Sequence, residues 1–242
     1  MQVRSVDIPT DDATLAGQIA EPGTSIPGVL FIHGWAGSQD RDKDRARRLA
    51  QLGIVSLTFD LRGHGANAEC QDTVTREQNL RDICAAYDRL AAHPQVDPAS
   101  IALIGSSYGG YLAALVAGMR RVRWLALRVP ALYRDEGWTM AKARFDRKDI
   151  DTYRRSRVLP ADNMALAECA RFRGDVLIVE SEHDDLIPHT VIASYLASFV
   201  EARSLTYRII TGADHALSDQ PSKLAYDQLL LGWMREMVFG AR

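Results

Sequence analysis

The chain has 242 residues, 47% hydrophobic and 25% charged, enough to enclose one large core in a single domain spanning 1–242. Its 29 basic and 31 acidic side chains leave a formal net charge of −2, which excludes the basic character of a nucleic-acid or anionic-membrane binder and points to a small-molecule partner. The opening MQVRSVDIPTDD has no apolar leader run and no later stretch is long enough to span a bilayer, so a cytoplasmic location is expected.

In chain order, 3–8 and 14–20 read as two strands joined by a Thr-Asp-Asp turn, an antiparallel hairpin at a sheet edge. The runs at 28–33, 54–60, 101–105, 124–129 and 176–181 are continuously apolar, as strands buried on both faces are, and 205–211 is the last strand. Helical patterns at 42–52, 75–92, 108–119, 189–200 and 221–239 fall between them. This alternation predicts an α/β fold, with the eight strands in one mostly parallel sheet and helices on both faces. Residues 131–173 break the rhythm with charged, helix-prone sequence, read as a small helical cap insertion; a longer surface crossover is the alternative. Cys70, Cys84 and Cys169 are widely spaced, which suggests neither a disulfide framework nor a zinc site. No metal or organic cofactor is expected.

The run IALIGSSYGGYLAAL sets Gly105-Ser106-Ser107-Tyr108-Gly109 between a strand and a helix, the context of a nucleophile elbow. Only Ser107 has glycine two residues away on both sides; Ser106 is flanked by Ile104 and Tyr108 and reads as a structural neighbour. The amide of Tyr108, at the helix N-terminus, is one candidate oxyanion donor. The amide of Trp35, after the strand that ends His33-Gly34, is the second. A serine hydroxyl needs an adjacent base, and six histidines compete for that role. His215 follows the last strand at the same strand-end face as the elbow and is favoured. His33 and His64 read as structural, His93 as solvent-facing, and His183 and His189 as rivals beside the acidic loop. That loop, after VLIVES, offers Glu182, Asp184 and Asp185 as the carboxylate that orients the histidine. Asp60 and Arg62, in the DLRGHG turn, are expected to stabilise loops.

HGWAG, DLRGHG, GSSYGG, ESEHDDLIP and GADH, in this order from about Pro27 onward, resemble the landmarks of the α/β-hydrolase superfamily. The resemblance implies a serine–acid–histidine order met by Ser107, Asp184 and His215. In that family the acid commonly stands four residues before the proline of a D-x-x-[VI]-P segment, which selects Asp184 over Asp185. The short chain and SYGG elbow look most like dienelactone-hydrolase-like esterases and the catalytic domains of prolyl-oligopeptidase-type peptidases. Dienelactone hydrolase has cysteine where this chain has Ser107, so its lactone specificity does not carry over, and Ser181 stands where glycine is usual in the acidic loop.

The expected activity is that of a carboxylesterase-type serine hydrolase, cleaving small to medium carboxylic esters through an acyl-enzyme. Trp35, Tyr108, Trp138, Phe145 and Tyr153 are expected to shape the substrate pocket. A peptidase or amidase of the same fold is the enzymatic alternative, and a non-catalytic binding protein the alternative from another class. The partner is then a small-molecule ester, with no nucleic acid and no membrane, and the chain acts as a monomer or homodimer.

Overall fold

Apolar residues alternate along the central strands, and that alternation divides the core into two layers. The computed structural model describes residues 2–9, 14–21 and 25–240; the turn expected at 10–12 lies outside them. The described strands are β1 (Gln2–Pro9), β2 (Thr14–Glu21), β3 (Ile26–Ile32), β4 (Val55–Leu57), β5 (Val96–Ser106), β6 (Trp124–Arg128), β7 (Asp175–His183) and β8 (Ser204–Asp214). The helices are α1 (Asp40–Ala50), α2 (Arg76–Ala91), α3 (Tyr108–Met119), α4 (Arg147–Arg154), α5 (Met164–Arg171), α6 (His189–Ser198) and α7 (Gln220–Phe239).

The strands do not form one eight-stranded sheet. Six make a parallel sheet in the order β4-β3-β5-β6-β7-β8, while β1 and β2 pair antiparallel with each other as a separate two-stranded sheet. The edge at β4 offers little to extend. β4 holds only three residues, because the chain leaves the ladder where Thr58 donates to Gln39 Oε1 and Asp60 accepts the Gln39 amide.

A parallel sheet must be covered on both faces. On one face Val29, Phe31, Ile104, Trp124, Leu177 and Val179 pack with Leu49 of α1 and with Leu230, Trp233 and Met234 of α7. On the other, Leu30, Ile32, Leu103, Leu125, Leu127 and Ile178 pack with residues of α2, α3, α5 and α6. Each pair of successive strand residues divides between the layers, as the period of two requires. The chain steps outward from β3 to β4, then back past β3 to β5, so the strand order reverses at β3. The loops leaving the C-terminal ends of β3 and β5 part there, and such a point is where open α/β sheets place their ligands.

Residues 131–173 join β6 to β7 through α4, α5 and two short 3₁₀ turns. Asp146 caps α4 by accepting from the Lys148 amide at 2.8 Å, and Asn163 caps α5 by accepting from that of Leu166 at 3.2 Å. Ala165, Leu166 and Cys169 of α5 are buried in the same core layer as α3, so this half of the segment is built into the body of the fold. Cys70, Cys84 and Cys169 are free thiols. Among the described residues no helix is long and apolar enough to cross a membrane.

Candidate active site

Ser107 stands between β5 and α3 with φ +52° and ψ −116°, a conformation that L residues rarely adopt. The turn is tight enough to forbid side chains on either side. A Cβ at Gly105 would lie 2.5 Å from the Gly109 carbonyl oxygen, and one at Gly109 would lie 2.1 Å from that of Ile32. The Ser107 amide donates to the Arg128 carbonyl on β6 at 2.9 Å, and the Ser107 carbonyl accepts from Ala131 at 3.0 Å. The hydroxyl is thus held up at the C-terminal edge of the sheet, half-buried.

His215 reaches it from the loop after β8, with Nε2 3.0 Å from Ser107 Oγ. Its Nδ1 is 2.7 Å from Asp184 Oδ2. The other oxygen of Asp184 accepts from the Leu186 and Ile187 amides, both at 2.8 Å, so the carboxylate is aimed by the loop that leads into α6. Its side chain is only 2% exposed. The neighbouring acids are elsewhere: Glu182 accepts from the Gly212 amide at 2.7 Å, and Asp185 is exposed.

The other histidines are otherwise engaged. His33 accepts from the Leu61 amide through Nε2 at 3.0 Å, which leaves its Nδ1–H to donate to the Gly34 carbonyl at 2.8 Å. Burial holds its pKa below the ordinary imidazole value, and does the same for His64. His189 Nδ1 faces the Glu180 carboxylate at 3.0 Å, and His183 is exposed near Glu182. His93 accepts from the Gln95 amide at an exposed turn. Asp60 ties its loops together by accepting from the amides of Gln39 and Ala66, while Arg62 pairs with Asp82 at 2.7 Å.

Tyr108 is the first residue of α3, where a main-chain N–H lies outside the helix's own hydrogen-bond ladder. Trp35 follows Gly34, and a Cβ at Gly34 would stand 3.2 Å from that of Ser107. The two candidate oxyanion donors therefore flank the nucleophile from two strand ends.

Of the five expected pocket residues, Trp35 and Tyr108 adjoin Ser107, while Trp138, Phe145 and Tyr153 lie on the side of Arg76. Trp35 is half-buried beside it, its ring edge-on to those of His64 and Tyr108, with centroids 4.5 and 5.5 Å away. The Tyr108 ring is fully buried, its hydroxyl donating to Asn79 Oδ1 at 3.1 Å, and burial pushes the phenol far up its range. Trp138 and Phe145 are drawn to the fully buried Arg76 of α2, whose guanidinium sits 4.8 Å from each ring centroid. Phe145 and Tyr153 line a cavity of about 370 Å³ together with Arg76, Tyr133, Met140 and Ile150; neither Ser107 nor His215 lines it. The insertion meets the nucleophile through Ala131, whose amide donates to the Ser107 carbonyl, and Lys142 reaches the neighbouring rings, its ammonium 4.5 Å from the Trp35 ring and 5.4 Å from that of Tyr108.

Reading the sequence also missed Arg128. It ends a strand that otherwise looks wholly apolar (WLALRV), and a charge inside such a run is the signal that would have found it. Among the described residues no three His, Cys, Asp or Glu side chains group as a metal-ligand set.

A profile described as the alpha/beta hydrolase family matches residues 29–227. An uncharacterized protein of Mycobacterium tuberculosis is 29% identical over 216 residues, covering 88% of this chain and 72% of that protein. The fold is shared with a dienelactone hydrolase from Anabaena variabilis, at a TM-score of 0.61 and 20% identity over 98% of both chains. It is shared also with an acylaminoacyl peptidase from Pyrococcus horikoshii, at a TM-score of 0.67 and 15% identity, where all of this chain aligns with 42% of the other.

Proposed function

Because this chain belongs to the alpha/beta hydrolase family, we propose that it is a serine hydrolase that cleaves small to medium carboxylic esters through an acyl-enzyme. One observation carries this reading: the unbroken line from Ser107 Oγ to His215 Nε2 at 3.0 Å and from His215 Nδ1 to Asp184 Oδ2 at 2.7 Å. A serine hydroxyl is a poor nucleophile near neutral pH, and an imidazole at hydrogen-bond distance removes that barrier as attack proceeds. Asp184 keeps the proton of the neutral imidazole on Nδ1, which leaves Nε2 free to accept.

Ser107 Oγ attacks the ester carbonyl carbon while its proton passes to His215 Nε2. The carbonyl oxygen becomes an oxyanion, for which the Tyr108 and Trp35 amides are the assigned donors; main-chain donors of this kind stabilise developing charge without reorganisation. Collapse expels the alcohol, which takes the proton from His215 and leaves an ester on Ser107. Water then attacks that ester, again giving its proton to His215, and the acid departs as the proton returns to Ser107.

The test is a panel of p-nitrophenyl esters graded from acetate to decanoate, with matched anilides for comparison. Turnover of the short and medium esters, abolished in Ser107→Ala, is the expected result. Cleavage of anilides at rates equal to the esters would overturn the ester assignment, and turnover retained in Ser107→Ala would overturn the mechanism.

A further inference from the structure

Four non-glycine residues among those described have positive φ: Ala36 at +59°, Ser107 at +52°, Val129 at +39° and Leu217 at +53°. Backbone held in that region is strained, persists only where its surroundings enforce it, and collects at functional sites. Three of the four belong to segments already discussed: the loop after Trp35, the nucleophile, and the loop after His215. The fourth, Val129, is β-branched, for which this conformation is least tolerable, and it immediately follows Arg128.

Arg128 ends β6, in register with Ser106 on β5 and Val179 on β7. Its carbonyl accepts from the Ser107 amide at 2.9 Å. Its side chain donates from Nε to Ser106 Oγ at 3.0 Å and from both terminal nitrogens to the His215 carbonyl, each at 3.0 Å. The residue is 6% exposed, and among the described residues no carboxylate lies within 4.0 Å of its guanidinium. The Tyr226 ring stands 5.6 Å from it. A cation taken out of water with only neutral acceptors is an expensive feature, and burial pulls its pKa below the ordinary guanidinium value. Anchoring one peptide carbonyl would not need it, since a neutral donor serves. What the guanidinium adds is a rigid planar fork, which fixes the direction of the carbonyl as well as its distance.

His215 needs such an anchor. It lies on the loop after β8, the edge strand of the sheet, most of whose residues are exposed or half-buried. Ala213 and Leu217 anchor the ends of this turn in the core and Asp184 holds the ring, but the direction of the His215 peptide between them is set by what its carbonyl meets.

We propose that Arg128 is a positioning residue, clamping the His215 loop to the nucleophile elbow so that Nε2 stays in line with Ser107 Oγ. This rests on the serine-hydrolase reading above. The clamp touches neither substrate nor reacting atoms; it acts on kcat through the geometry of His215.

The test compares wild type with Arg128→Met, Arg128→Lys and Ser106→Ala. For each, kcat per site titrated by fluorophosphonate, KM for a short p-nitrophenyl ester, and the melting temperature are measured. Arg128→Met is expected to lower kcat about 10²-fold, as misplacing a catalytic group by an ångström does, with KM within about threefold. Arg128→Lys, which keeps the charge but loses the fork, is expected to fall between the two, about tenfold down. Ser106→Ala, which frees only the Nε end, should cost about threefold. A merely structural role would lower melting temperature and yield while leaving kcat per titrated site unchanged, and that result overturns the proposal. Where Arg128→Met does not fold, the lysine and Ser106 variants decide by the same criterion. Failure of wild type to label at Ser107 would instead overturn the serine-hydrolase reading itself.

Discussion

Replacing Asp184 by asparagine separates catalysis from stability at one atom. The carboxylate does two jobs, one per oxygen: Oδ2 faces His215 Nδ1 at 2.7 Å, and Oδ1 accepts the Leu186 and Ile187 amides at 2.8 Å. In Asp184→Asn the amide oxygen can keep the two backbone bonds, which turns the NH₂ group toward His215. That donor faces the ring nitrogen that should carry the proton, so the proton moves to Nε2 and the base is lost. The same exchange in a serine protease triad lowers kcat about 10⁴-fold, equivalent to about 5.4 kcal/mol of barrier. Asp184→Ala loses the histidine contact and both backbone bonds. Those two bonds together contribute about 2 kcal/mol, discounted for the exposed Leu186, or about 4–8 °C in melting temperature for a chain of this size. Ester hydrolysis and thermal unfolding on both variants read out the two effects. The expected pattern is loss of activity in both, with melting temperature kept in Asp184→Asn and lowered in Asp184→Ala. An asparagine variant within tenfold of wild-type kcat would show that Asp184 does not set the tautomer of His215, and Asp185→Asn should be inert in both assays.

Two further outcomes follow from the packing and the buried histidines. Gly109→Ala drives a methyl group onto the Ile32 and His33 carbonyls, at 2.1 and 2.5 Å, so a loss of about 3 kcal/mol or more is expected. Gly232→Ala in α7 meets nothing within 4 Å and should gain about 0.5–1 kcal/mol; equal effects at the two glycines in chemical denaturation would contradict the account. Burial lowers the pKa of His33 and His64, so below about pH 6.5 the unfolded chain takes up protons that the native one resists. Their contribution is therefore complete above that pH and is lost as pH falls toward the native values. His33→Gln should flatten the slope of melting temperature against pH over that range, and an unchanged slope would show that His33 does not carry it.

The elbow is legible in sequence because its steric demands are local: the backbone at Ser107 requires small neighbours, and Gly105 and Gly109 meet that requirement within five residues. The strand alternation was equally readable, since both faces of the parallel sheet are covered and its strands appear as unbroken apolar runs. Choosing Asp184 among three acids needed the family spacing, because the aim of its carboxylate depends on amides that only the folded loop supplies. The packing of the insertion's aromatics is likewise not local. Trp138 and Phe145 pack on Arg76, some sixty to seventy positions earlier, a contact that no local pattern carries. Eight strands are present as expected, but they divide into the hairpin and a six-stranded sheet: a hairpin's own pairing is local, whereas joining a larger sheet depends on an edge distant in the chain.

The serine-hydrolase proposal stands on Ser107 being an activated nucleophile. The direct measurement is reaction of the intact, folded protein with a fluorophosphonate, read by mass spectrometry and mapped by proteolysis, in wild type and in Ser107→Ala. A single adduct on Ser107 that the alanine variant lacks is the expected result. A well-folded wild type that stays unmodified, or an adduct on Ser106 instead, would contradict it.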